Sequence, residues 1–325
     1  MTPPVAGTGS AETAPVPHGR LWTGSRTGRR RRDAFETLIR TLLAACALAT
    51  VLITLTIIIL LIRQSVVFFE QVPFTDFAFG TVWTALFADP QFGILPLLAG
   101  SLGVTCIACL VGIPVGTLVA LWLSEYAGPR WRDVLKPAIE LLASVPSVVF
   151  GYFALRTVTP LLQPILRDWF GIELPTFNML SAGLVMGVMI IPYVASICDD
   201  SFRAIPDSLR EASLAAGATR AQMAFGVILP AAASGVLAAY ILAVSRAIGE
   251  TMIVTVAAGS RANLTADPTQ PVQTITSFIA QAYTGDVAHG SLAYYSIFAA
   301  GTALFLFTFV MNLLGQFIRT RALRF

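Results

Sequence analysis

Residues 199–230 read DDSFRAIPDSLREASLAAGATRAQMAFGVILP, a polar segment set between the apolar runs 179–198 and 229–257. Ser208 stands three residues before Glu211, the spacing of a capping box, and predicts a short helix over 209–216 that Gly217 ends. Thr219 is placed to begin a second helix running toward Pro230. A helix, a glycine turn and a helix, held outside the bilayer between two crossings, is expected. Such a knob is shaped for a partner's groove.

Working outward, the apolar runs recur at 41–62, 94–123, 138–158, 179–198, 229–257 and 294–318. Each is long enough to cross a hydrocarbon core of about 30 Å at about 1.5 Å per residue. The whole chain of 325 residues is 56% hydrophobic and 12% charged, with mean hydropathy +0.75, which excludes a soluble globule, a disordered chain and a disulfide scaffold. The run 41–62 carries no charge and has no clear small-residue cleavage site, so it is expected to remain as a span. Pro96, Pro114, Pro146, Pro192 and Pro230 fall in or at the start of these runs. Interrupted helices need neighbours to satisfy the freed carbonyls, so a bundle around a cavity is expected. Ser144, Ser147 and Gly151 offer small surfaces for close helix contact. No repeat of fixed period is visible, which weakens an inverted-repeat transporter.

The cations orient the chain. Of the 21 Lys and Arg residues, 16 fall on one set of alternating segments, in the tail, loops 124–137 and 199–228, and the end 319–325. Four fall on the other set, among them Arg156 at the expected outer edge of the third span, and Arg246 lies inside the fifth. Both termini are therefore expected in the cytoplasm. Residues 1–40, with Arg29, Arg30, Arg31 and Arg32, read as a disordered Arg-rich cytoplasmic tail lying against anionic lipid, and 41–325 as the membrane domain. Outside, 72–92 is dense in Phe74, Phe77, Phe79, Trp83 and Phe87, as an interface anchor would be, and 259–293 reads as a polar loop open to an external partner.

Several chemistries are missing. Lys136 is the only lysine and sits in no G-x-x-x-x-G-K-[ST] loop, so the chain is not expected to be its own P-loop ATPase and energy is expected to come from a partner. His18 and His289 lie far apart, giving no expected metal site, and no segment gathers a nucleophile, a base and an acid, so an enzyme is not expected. Cys46, Cys106, Cys109 and Cys198 all fall in or at the end of apolar runs and read as small packing residues; the C-x-x-C at 106–109 lacks the βαβ context of a redox motif.

Within the fifth span, Arg246 and Glu250 are four residues apart, so a continuous helix would put them on one face, free to pair. Counted from about Gly235, Arg246 lies roughly 16 Å deep. An ionisable group there costs at least about 2.5–3.5 kcal/mol, which points to a pathway or an interhelical pair. A guanidinium fork grips a tetrahedral oxyanion at two oxygens, and a nearby carboxylate keeps the grip transient.

Glu211-Ala212-Ser213, then Gly217, then Val227-Ile228-Leu229-Pro230 resembles the EAA loop of ABC importer permeases, with Ser213 for the second Ala and Val227 for the usual Ile. Arg246-Ala-Ile-Gly-Glu250-Thr251 is similar to the phosphate-specific permeases, where sulfate and molybdate permeases more usually carry Arg-Ala-Leu-Gly-Glu-Phe; Glu140 through Gly151 also resembles the phosphate group. Thr251-Met252 resembles the PstC type rather than the PstA type. The likeness covers about 41–325.

It implies an all-α, polytopic, MetI-like permease bundle of six transmembrane helices in the bacterial inner or plasma membrane. It further implies a second permease of the PstA type, two cytoplasmic ATPase subunits of the PstB type and an external phosphate-binding protein of the PstS type, with no cofactor. Glu211, Ala212 and Gly217 would then dock the ATPase, and Arg246, Glu250 and Thr251 would line the path of inorganic phosphate. The alternatives are a sulfate or molybdate permease, an ion-coupled secondary carrier, distinguished by its independence of a separate ATPase, and a sensory protein without transport.

Overall fold

The computed structural model describes residues 26–285 and 287–322, with side chains from 35 to 320. It divides into two units, Met1–Ile58 and Ile59–Phe325. In the first, helix α1 (Arg26–Phe69) is already under way at Arg26, so the expected tail is helical from that point; residues 1–25, with His18, lie outside the described residues. From Arg29 onward the run holds no Pro or Gly and is rich in Arg, Leu and Ala, which favour helix propagation. The apolar side chains here are exposed, as lipid-facing ones are, and Thr50, Thr54 and Thr56 each donate a hydroxyl proton to the carbonyl four residues back.

The second unit holds the end of α1 and thirteen further helical pieces among the described residues. They are α2 (Phe74–Phe79), α3 (Leu95–Leu121) with a π-turn Trp122–Tyr126, α4 (Pro129–Ala143), and α5 (Ser147–Phe153), which a π-turn Ala154–Val158 joins to α6 (Thr159–Phe170). Then come α7 (Met179–Arg203), α8 (Asp207–Ala215), and α9 (Arg220–Met223), which a π-turn Ala224–Ile228 joins to α10 (Leu229–Ala231). Last are α11 (Ala233–Ile248), α12 (Met252–Ala257), α13 (Ile275–Thr284) and α14 (Leu292–Ala322). Among the described residues there is no strand, only the isolated bridges Trp83–Phe92 and Gly259–Val272.

Five helices are long and apolar enough to cross a membrane, at Phe35–Phe69, Leu95–Tyr126, Ser147–Phe170, Met179–Arg203 and Leu292–Thr320. The pair Arg220–Ala231 and Ala233–Ile248 passes the same test together but is bent by 74°, so the count is six where the pair is one broken span and five where it is a re-entrant loop.

Two boundaries differ from expectation. The third span starts at Ser147 rather than at 138 and runs to Phe170. Pro146 disfavours helical backbone at Val145, so 129–143 becomes the separate amphipathic helix α4, with no buried residue, while Pro146 opens α5. Arg156 consequently lies in the body of a span, not at its edge. The fifth apolar run is not one helix either. It turns at Ala232 and ends at Ile248, before the short α12.

The core runs where α3 and α7 cross. A Cβ on Gly112 would stand 2.8 Å from the Gly187 carbonyl oxygen, and one on Gly187 3.0 Å from the Ala108 carbonyl oxygen, so glycine at both places lets the two backbones meet. Gly151 brings α5 equally close to α12, where a Cβ would be 3.2 Å from the Met252 carbonyl oxygen. Interhelical hydroxyl bonds add to this: Thr117 with Tyr240 at 2.9 Å, Ser65 with Thr302 at 2.8 Å, and Ser245 to Asn312 at 2.8 Å.

At the end read as outer, Phe68, Phe77, Trp83, Phe92 and Phe278 form an edge-to-face cluster. Phe77 and Trp83, expected as interface anchors, are thus core residues, while Phe74, Phe79 and Phe87 remain exposed. The expected loop 259–293 carries a buried helix, α13, started by the Thr274 side chain accepting from the Ser277 N–H.

Candidate functional site

At the end read as inner, α8 opens after Pro206 with Asp207 in its first turn, where an acidic side chain complements the helix dipole. Ser208, expected as the cap, lies inside the helix instead. The close of the helix follows expectation: Gly217 takes φ +88°, Ala218 N–H donates to the Ser213 carbonyl at 3.1 Å, and Gly217 N–H to that of Leu214 at 3.0 Å. Thr219 forms a full capping box with Gln222, Oγ1 accepting from the Gln222 N–H at 3.3 Å while Oε1 of Gln222 accepts from the Thr219 N–H at 2.8 Å. Glu211, Ala212 and Gly217 are exposed together, with Leu209 and Leu214 beside them.

Two buried carboxylates fasten this end, and no local sequence signal singled them out. Glu125, 3% exposed at the end of the second span, accepts from Arg210 of α8 at 3.1–3.3 Å. The same guanidinium donates to the carbonyls of Phe202 and Ile205 at 2.8 and 2.7 Å and to Asp207 at 3.1 Å, so one side chain ties α8 to both the second and the fourth span. Hydrogen bonding to Glu125 holds the Arg210 pKa above its ordinary value. Asp199, 1% exposed, accepts from Arg132 at 2.8 Å and Lys136 at 3.0 Å, anchoring α4 to α7, and Lys136 also reaches Asp200 at 2.7 Å. Burial alone would lower the Lys136 pKa; its hydrogen bonds to Asp200 and Asp199 outweigh that and raise it. Burial makes these pairs costly to break, about 3–5 kcal/mol when one partner is removed. A cleft of about 450 Å³ opens beside them, lined by Glu125, Arg203, Asp207, Arg210 and Arg220 among others.

Along the fifth span, Arg246 sits in the last turn of α11, about 20 Å from Ala233 at 1.5 Å per residue. It does not pair with Glu250. The helix ends between them, and among the described residues Arg246 has no ion pair; its guanidinium lies over the ring of Tyr193, 5.2 Å from the centroid. Both side chains are exposed. Glu250, 6% exposed, turns back on its own backbone: Oε1 accepts from the N–H groups of Met252 at 3.0 Å and Ile253 at 3.4 Å, starting α12, while its carbonyl accepts from the Thr276 hydroxyl of α13 at 2.7 Å. Thr251 is half-buried at the break and its carbonyl accepts from the Thr255 N–H at 3.0 Å. Gly249, the C-cap of α11, is the local signal of a break, one that the four-residue spacing outweighed.

A family model described as the inner membrane component of binding-protein-dependent transport systems matches residues 112–324. The chain belongs to that family. This permease is 32% identical over 298 residues, 91% of its chain and 94% of the relative, to a probable ABC transporter permease, YqgH, of Bacillus subtilis. It is 31% identical over 323 residues, 93% and 96% respectively, to the phosphate transport system permease PstC of Xylella fastidiosa. Among solved structures it matches the bacterial alginate ABC transporter in complex with an alginate-bound periplasmic protein, at TM-score 0.60 and 19% identity over 88% of its chain and 97% of the other. It also matches the inward-facing MetNI methionine transporter, at TM-score 0.51 and 19% identity over 71% and 94%. These likenesses give the fold, a MetI-like bundle, and with the relatives they make the chain an ABC transporter permease of the inner membrane.

Proposed function

We propose that this permease carries inorganic phosphate inward, in a complex with a second permease, two cytoplasmic ATPase subunits and an external phosphate-binding protein. The observation that carries the choice of anion is the similarity to PstC relatives over most of the chain, such as 31% identity over 93% of it. The unpaired Arg246 near mid-span supports it: a planar guanidinium offers two parallel donors to a tetrahedral oxyanion, and its contact with Tyr193 is weak enough to be exchanged for one. Glu250 and Thr251 shape the break that presents Arg246 to the path. Glu211, Ala212 and Gly217 form the face that the ATPase pushes, and closure of the ATPases resets the gate through 199–228. No P-loop exists in the chain, so hydrolysis belongs to the partner.

The test is ATP-dependent uptake of labelled phosphate, sulfate and molybdate by the reconstituted complex. Phosphate uptake that needs both ATP and Arg246 is expected. Uptake of sulfate or molybdate in its place would overturn the choice of anion, and uptake without the ATPase would overturn the class.

A further inference from the structure

We propose that Arg156 is a second oxyanion station on the permeation path, lying outward of Arg246. The proposal rests on the oxyanion-permease function above and extends it to a residue in a different span.

The third span, Ser147–Phe170, ends outside with Arg167 and Asp168, an exposed pair at 3.1 Å. Between Ser147 and Leu166 the one charged residue is Arg156, with nine uncharged residues before it and ten after. Its side chain is exposed and, among the described residues, has neither an ion pair nor a hydrogen bond. A bare guanidinium inside so long an uncharged stretch costs up to about 2.5–3.5 kcal/mol if it faces lipid, so it belongs on a face with water, an anion or a partner carboxylate.

The backbone is built to present it. Arg156 sits in the π-turn Ala154–Val158, closed by the Thr159 N–H donating to the Ala154 carbonyl. Ala154 and Thr159, at the two ends of the turn, are both buried and anchor it to the bundle. Arg156 and Thr157 are the exposed residues of the wide turn. Such turns are weaker than α-helical ones and recur at functional sites.

Position along the path follows from Gly151. It packs α5 against Met252 and Ile253, directly after the break that follows Arg246. Arg156 lies five residues outward of that contact, roughly 7 Å at 1.5 Å per residue, and Arg246 precedes it on the inner side. An anion coming from outside therefore meets Arg156 first. Two moderate sites in series allow both entry and release, where one strong site would trap the anion.

In the reconstituted complex, Arg156→Gln is expected to raise the phosphate concentration for half-maximal uptake about tenfold, the scale of one lost charge-assisted hydrogen bond. ATPase co-purification should not change, and Arg156→Lys should restore most of the loss because a point charge still attracts the anion. In a chain with Cys46, Cys106, Cys109 and Cys198 replaced by Ala, Arg156→Cys should react with a water-soluble anionic thiol reagent, and saturating phosphate should slow that reaction several-fold. An unchanged half-saturation in Arg156→Gln would overturn the proposal. So would a thiol in Arg156→Cys that is unreactive, or whose reaction is indifferent to phosphate, in an assembled complex; those results fit a lipid-facing group or a brace to the second permease. If the wild-type complex moves a different oxyanion, only the choice of phosphate fails, and the labelling is then protected by the anion that is moved.

Discussion

Gly217 and Glu250 show how much a single residue decides here. At φ +88°, with no atom within 4 Å of an added Cβ, Gly217 is required by backbone conformation alone, not by space. Gly217→Val should strain the turn by about 1–2 kcal/mol and lower the phosphate moved per ATP hydrolysed, while Gly217→Asn, which tolerates the left-handed region, should keep most of that ratio. Equal ratios in both variants would remove the turn from coupling. Glu250 acts through hydrogen bonds its carboxylate accepts from Met252 and Ile253, and a glutamine oxygen can accept them too. Glu250→Gln should therefore retain far more uptake than Glu250→Leu, which strips the start of α12. The double variant Arg246→Glu with Glu250→Arg should be inactive, since arginine accepts no hydrogen bond; restored uptake would show a reversible ion pair instead.

At the scale of the element, α8, the helix proposed to meet the ATPase, has no buried residue of its own and is held by its arginine. Arg210→Met leaves Glu125 buried and uncompensated and should cost about 3–5 kcal/mol of stability, read as a lowered melting temperature of the purified permease. Adding Glu125→Gln should recover much of that melting temperature, because the buried charge is gone, yet leave uptake per ATP low, because α8 is no longer tied to the second span. If the double variant couples normally, the exposed face of α8 needs no such tie. The Asp199 contacts to Arg132 and Lys136 do the same for α4, a helix that the hydropathy pattern merged into the third span because its 138–143 end is apolar.

Across the whole molecule, the cation count sets which end meets the cytoplasm. Reporters fused at 40, 130, 215 and 325 should read as cytoplasmic, and those at 80, 168 and 265 as external. An external signal at 215 would remove the proposed ATPase face from the side where ATP is. Six crossings would put both termini on one side, and the pair bent by 74° is what would make the number six. Were Arg220–Ala231 and Ala233–Ile248 to count as no span, 40 and 325 would lie on opposite sides, so these two fusions test the bent span directly.

The class of this protein, five of its crossings and the turn chemistry of Gly217 and Thr219 were legible from residues alone. Hydrophobic length, cation asymmetry and a glycine or threonine cap act over a few neighbours and need no tertiary partner. Where a span begins, where a helix stops and which charges meet were decided by packing. Whether 138–143 joins the third span, whether Gly249 ends α11, and whether α13 is a loop or a buried helix all depend on contacts distant in sequence, such as Thr276 with Glu250 and Gly151 with Met252. The residues meeting at Glu125 and Arg210 are 85 positions apart. Local periodicity carries no information over that distance, whereas the closed bundle brings a buried carboxylate and the guanidinium that compensates it to the same place.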